Sequence, residues 1–224
     1  MRNVAVVISG CGYLDGAEIF ETVFTLLELD KHNVNVKIFA PNKNQHYVIN
    51  HLNVINHLTQ EKMLEERNIL VESARIARGK IQPLNQIRAE DFDALILPGG
   101  FGAALNLSDI GLKNENATVL KDLQEIIVGF YNLSKPIGAI CIAPALLAIV
   151  LRNHTKIKVT LGESNDLINK LGATEETCNA QDIVVDEDNR LVTTPAFMLD
   201  APLAQIHKGI KGLVIKVLQM CANI

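Results

Sequence analysis

The chain has 224 residues, a formal net charge of −4, 48% hydrophobic residues and no Trp. That balance lacks the basic stripe and aromatic platform of a nucleic-acid binder. No apolar run reaches the roughly 18–20 residues that span a bilayer. The expectation is one soluble domain over residues 1–224, cytoplasmic, with neither nucleic acid nor membrane as partner.

Val4–Ser9 is a continuous apolar run ending at Gly10-Cys11-Gly12. It resembles a weak signal peptide, but it is short and no small-residue cleavage site follows. It reads better as a buried first strand. Glu18 to Leu29 follows with helical periodicity, Ile19, Val23, Leu26 and Leu27 sharing an apolar face. Residues 34–39 alternate as a strand, and Pro41 ends it. The hexamer that starts at Val48 recurs at Val54 with one change, a local duplication. Met63 to Ala77 is expected to be helical. Ala94–Leu97 is a short buried strand closed by Pro98-Gly99-Gly100. Val119 to Tyr131 reads as a helix, Pro136 to Ile140 as a strand and Ala145 to Leu151 as an apolar helix. Strands are expected at 158–160, 183–186 and 191–193, and a helix from Ala201 to Cys221. Strands alternating with helices imply a mostly parallel sheet covered on both faces. Ligands of such sheets bind at the carboxyl ends of the strands, near a topological switch point.

The four cysteines, Cys11, Cys141, Cys178 and Cys221, match no metal pair and no disulfide framework. With no export signal, reduced thiols are expected. Cys141 stands out, because a buried strand runs straight into it and an apolar helix follows. Where a strand turns sharply into a helix, the positions two before and two after the turn must be small. Here they are Ala139 and Ala143, the pattern of a nucleophile elbow with Cys in place of Ser. Helix N-terminal amides near the sulfur favour an exposed, low-pKa thiolate. Glu18 stands at the start of the first helix, at the same sheet edge. It reads equally as an acid/base partner and as an acid that merely suits a helix N-terminus. Gly99 and Gly100 allow close backbone approach, so their N–H groups, with that of Ile142, are candidate oxyanion donors. Cys11 reads first as a turn residue, with a possible place in the pocket. Cys178 and Cys221 read as structural. His51 and His57 lie six apart and so do not share a helical face.

Together, Asp15-Gly16-Ala17-Glu18, Pro98-Gly99-Gly100-Phe101-Gly102 and Ala139-Ile140-Cys141 resemble the ThiJ/PfpI superfamily. With Ser9 to Gly12, Phe39 to Pro41, Val48 to Leu52, Cys141 to Pro144, Asp182 to Asn189 and Thr193 to Ala196, the closer resemblance is to the ElbB family. These proteins are glyoxalase-like and named for enhancing lycopene biosynthesis. The resemblance implies a flavodoxin-like three-layer sandwich of the class I glutamine amidotransferase type. It implies Cys141 as nucleophile, Glu18 as acid/base and Gly100 with Ile142 as oxyanion donors, with Thr194 and Pro195 near the pocket. The activity implied converts glyoxal or a related small dicarbonyl to a hydroxy acid without metal, glutathione or other cofactor, in a homodimer. Superfamily proteases place His directly after the nucleophile, where this chain has Ile142, and amidotransferases use a distant His-x-Glu pair that is absent after Cys141. Where glyoxalase relatives often carry a third-site His, this chain has Val159 to Ser164, with Glu163 the candidate substitute. The alternative function is a cysteine-based redox sensor or binding scaffold.

Overall fold

The computed structural model describes residues 1–45, 54–164 and 166–221. Strand β1 (Asn3–Val7) leads to helix α1 (Ile19–Lys31) and strand β2 (Asn35–Ala40). A small hairpin, β3 (Val54–Ile55) with β4 (Lys62–Met63), precedes α2 (Ile69–Ile76) and β5 (Gln82–Pro83). Then come β6 (Ala94–Leu97), α3 (Phe101–Leu105), α4 (Ile110–Lys113) and α5 (Lys121–Asn132). Strand β7 (Ile137–Ile140) runs into α6 (Ala143–Leu151). The chain continues through β8 (Lys158–Val159), α7 (Asp166–Lys170) and β9 (Thr174–Glu175), then β10 (Val184–Asp186), β11 (Leu191–Thr194) and α8 (Leu203–Cys221).

Seven strands form the central sheet in the order β10-β11-β7-β6-β1-β2-β5. All pairs are parallel except β10 with β11, which closes the expected hairpin over Glu187-Asp188-Asn189. Alternate residues of a strand face opposite sides, and the core divides accordingly. Ala5, Val7, Leu95 and Leu97 pack on one side with α5 and α6. Val4, Val6, Ile96 and Val192 pack on the other with Leu29 of α1 and Ile210 and Leu213 of α8. This is the flavodoxin-like α/β/α sandwich, mostly parallel. Successive strands run outward in opposite directions from β1 and β6, so the switch point lies between them.

Several expected elements differ. The helix expected from Met63 begins only at Ile69, because the Asn68 side chain accepts the Val71 N–H at 3.1 Å and caps it there. Lys62–Met63 pairs instead as a strand. Residues 158–159 join β9 in a separate two-stranded sheet. The short helices α3, α4 and α7 carry too few residues to show a period. The first copy of the duplicated hexamer, with His51, lies outside the described residues.

Three of the four residues of the apolar stripe of α1 point outward, while Leu26 packs against the core. Ile19, Val23 and Leu27 are 40%, 43% and 41% exposed, whereas Glu21, Thr22, Thr25 and Glu28 are buried. Contacts within α1 and one to α8 accompany the inversion. Thr22 and Thr25 donate their hydroxyls to carbonyls one turn back, and Glu28 accepts from Lys31 and pairs with His207, each at 2.7 Å. The inward polar groups are thereby satisfied.

Candidate active site

Three loops meet at the carboxyl edge of the sheet, those after β1, β6 and β7. At the end of β7, Cys141 sits at φ +62°, a left-handed conformation that is costly for a residue with a side chain. The surroundings hold it there: its N–H donates to Thr194 O at 3.0 Å, and Ala139 and Ala143 are fully buried beside it. Pro144 occupies the first turn of α6, where its missing N–H costs nothing.

The carboxyl hydrogen-bonded to the sulfur belongs to Glu21, one turn into α1. Glu21 is fully buried. Its Oε2 accepts the Gly99 N–H at 2.9 Å and its Oε1 the Phe197 N–H at 3.4 Å. Burial, aided by the nearby Glu18 charge, pushes its pKa up to about 8. Burial also pushes the Cys141 thiol up, and the Glu21 charge adds to this, while hydrogen bonds from the N–H groups of Gly100 and Ile142 pull the other way. The sulfur is thus not the exposed, low-pKa thiolate expected from the elbow: Cys141 is 8% exposed.

Glu18 has a different place. It is the N-cap of α1, its Oε2 accepting the Glu21 N–H at 2.7 Å. It is 9% exposed, lines the cavity beside Cys141, and is pushed up by burial. Sequence reasoning passed over Glu21, although a readable signal existed. In Glu18-Ile19-Phe20-Glu21 the first acid suits the cap, which leaves the second, one turn on, free to point inward.

The glycines are placed as close-approach residues. A Cβ on Gly99 would lie 2.5 Å from the Cys141 Cβ, and one on Gly100, at φ +92°, would lie 2.4 Å from the Glu18 nitrogen. The N–H of Gly99 is taken by Glu21, whereas those of Gly100 and Ile142 reach the sulfur.

A cavity of about 410 Å³ opens beside the sulfur. Its lining includes Phe101 and Ala104 of α3, Ile110, Gly111 and Asn114, and Ile142 and Leu167. Tyr13, Glu18, Phe197 and Met198 complete it. The four residues expected near the pocket, Cys11, Glu163, Thr194 and Pro195, are absent from this lining, as is Gly99. Cys11 lies at the turn near Asp15 and Glu72, and burial raises its pKa. Glu163 is exposed. Thr194 is fully buried, holding Cys141 through its carbonyl while its own hydroxyl donates to Asp182 O at 2.8 Å. Pro195 packs against Gly162. Among the described residues no cluster of three His, Cys, Asp or Glu side chains is arranged to hold a metal ion. All four cysteines are free thiols. His57 meets Asp15 at 3.2 Å, away from Cys141.

A family model described as the DJ-1/PfpI family matches residues 11–200. The chain belongs to the DJ-1/PfpI family. Its similarity to the Homo sapiens glutamine amidotransferase-like class 1 domain-containing protein 3, mitochondrial, is 42% identity over 97% of this chain and 83% of that one. The ES1 protein homolog, mitochondrial, of Rattus norvegicus is 40% identical over 97% of this chain and 84% of that protein. Among solved structures, an isoprenoid biosynthesis protein with an amidotransferase-like domain from Ehrlichia chaffeensis superposes with a TM-score of 0.91. It is 43% identical, over 98% of this chain and 99% of that one. These likenesses agree with the ElbB-like character of the motifs and with the class I amidotransferase-like fold. Among the described residues no helix is long and apolar enough to cross a membrane.

Proposed function

We propose that this DJ-1/PfpI protein is a cofactor-independent, glyoxalase-like enzyme that converts a small dicarbonyl to a 2-hydroxy acid through Cys141. The observation that carries this reading is the buried Cys141–Glu21 pair, with the Gly100 and Ile142 N–H groups on the sulfur and a small-molecule cavity beside it. The proposal assigns the proton work to Glu21 rather than Glu18, since Glu21 touches the sulfur and the Glu18 carboxyl is engaged as a helix cap.

In this mechanism ionised Glu21 takes the thiol proton as the sulfur bonds to the aldehyde carbon. Charge on the carbonyl oxygen is met by the N–H groups of Gly100 and Ile142, and Glu21 passes its proton to that oxygen. The restored carboxylate removes the aldehyde-derived C–H proton, giving an enediolate, and as it returns that proton to the neighbouring carbon the hemithioacetal hydroxyl proton moves to the neighbouring oxygen. This leaves a thioester. Water cleaves its C–S bond, releasing the hydroxy acid and the thiol, so the sum is dicarbonyl plus water to 2-hydroxy acid. Because Glu21 acts as the carboxylate and its pKa is about 8, the rate climbs as pH rises toward that value. The test is glycolate formation from glyoxal by wild type and Cys141→Ser. Equal rates in the two would end the enzymatic reading.

The sensor alternative asked for an exposed thiolate, and the buried, up-shifted thiol supports it less well. A reducing compartment such as the cytoplasm suits four free thiols. The eukaryotic relatives above are named as mitochondrial. The proposed working unit is a homodimer of this single 1–224 domain, in line with the family resemblance. The outward apolar face of α1, with the exposed Phe20 and Leu203, supports burial against a second copy.

A further inference from the structure

The cavity is poorly matched to glyoxal itself. A water takes about 30 Å³ in the liquid, so about 410 Å³ has room for about a dozen heavy atoms. Glyoxal has only four heavy atoms. Pockets of this size ordinarily enclose most of a small organic ligand. The wall chemistry points the same way. Beyond Cys141, Glu18, Tyr13 and Asn114, the lining is apolar or glycine backbone, with Phe101, Ile110, Ile142, Leu167 and Met198 contributing most of its side chains. Glyoxal in water is largely hydrated, and its hydroxyls would lose water against such walls without gaining partners. Phe101, Phe197 and Met198 are 52%, 38% and 39% exposed, so apolar surface remains for a ligand to cover.

We infer that the cavity selects an α-oxoaldehyde, or a related reactive aldehyde, carrying an apolar chain or ring of about four to eight carbons. The inference rests on the aldehyde chemistry proposed for Cys141 and adds the substrate class. The carbonyl sits at the sulfur between the Gly100 and Ile142 N–H groups, and the hydrocarbon body lies along Ile110, Leu167 and Met198. Each methylene buried against those walls raises kcat/KM by about threefold to fourfold.

The experiment measures kcat/KM for glyoxal, methylglyoxal, 2-oxobutanal, 2-oxohexanal and phenylglyoxal. In parallel, unreactive octanamide is tested for protection of Cys141 against iodoacetamide. The expected result is a rise of roughly fiftyfold from methylglyoxal to 2-oxohexanal, with octanamide slowing alkylation. Met198→Asp, at the cavity edge, should shrink the 2-oxohexanal to glyoxal ratio. A flat series with no protection overturns the apolar-substrate inference and leaves the glyoxalase reading standing. Protection without turnover of any oxoaldehyde supports the apolar cavity and removes the enzymatic reading. Absence of both overturns both.

Discussion

The two segments that build the site, the β7–α6 turn and the start of α1, were written under different constraints. At the turn the backbone dictates the side chains: a residue at φ +62° flanked by a packed strand and helix leaves room only for Ala139 and Ala143. Sequence and geometry agree there because the steric demand is local. In α1 the demand comes from elsewhere. The inward face carries Glu21, Thr22, Thr25 and Glu28, and the outward face Ile19, Val23 and Leu27. Periodicity reports that a helix has two faces. It does not say which one a catalytic sulfur or a second copy of the chain will meet.

The sharpest way to break this comparison is to neutralise the two α1 acids separately. Glu21→Gln should lower kcat for dicarbonyl turnover by about 10²–10⁴-fold, the usual cost of a lost general acid/base. Glu18→Gln keeps an oxygen able to accept the Glu21 N–H and should lose less than about tenfold by the same measure. Rates of iodoacetamide alkylation at Cys141 provide a second reading, which should shift with pH differently in Glu21→Gln and scarcely at all in Glu18→Gln. Equal losses in the two variants, or a larger one at Glu18, would return the proton role to Glu18.

This contrast also shows where the sequence was informative. The parallel sheet, the elbow at Cys141 and the Pro98-Gly99-Gly100 turn were legible, because each imposes a local requirement on residue size or φ. The family pattern carried the ElbB-like likeness. Which acid neighbours the sulfur was legible only through the helix cap that Glu18 suits. Glu18 and Glu21 stand one turn apart at the start of α1, and the tertiary packing decides which one accepts the Gly99 N–H. The thiol's environment was not legible. An elbow raises a side chain above the sheet, but the loops over Cys141 then bury it. Glu163 failed as a pocket residue because position along a loop does not reveal which way the loop turns; the structure leaves it in solvent.

Burial of Glu21 has a consequence for stability that the outward face of α1 does not share. Its pKa rises from 4.5 to about 8 on folding, so between those values the folded chain holds a proton that the unfolded chain has released. The stabilisation from the neutral form is full at low pH and is lost as pH rises through the folded pKa. The loss accrues between pH 4.5 and 8 and approaches about 5 kcal/mol, or roughly 10–20 °C in Tm for a chain of this size. Glu21→Gln stays neutral and should escape that loss, melting above wild type at pH 9 and close to it at pH 5. Parallel melting of the two proteins across this range, followed by circular dichroism, would mean that Glu21 is not held neutral by burial.

The smallest effect on the single chain should come from the opposite face. Val23 is 43% exposed, and a surface substitution free of special contacts changes stability by no more than about 0.5 kcal/mol. Val23→Asp should therefore fold and retain its Cys141 reactivity at high dilution. In a homodimer that buries this face, the same substitution places a charge in an apolar interface, at a cost that appears only through association. Sedimentation at micromolar concentration should then show a dimer for wild type and a monomer for Val23→Asp, and the Tm gap between them should widen as protein concentration rises. A wild-type monomer would leave the apolar face of α1 open to solvent. A dimer unchanged by the substitution would place the contact elsewhere, and the inversion of α1 would then follow from its buried polar contacts alone.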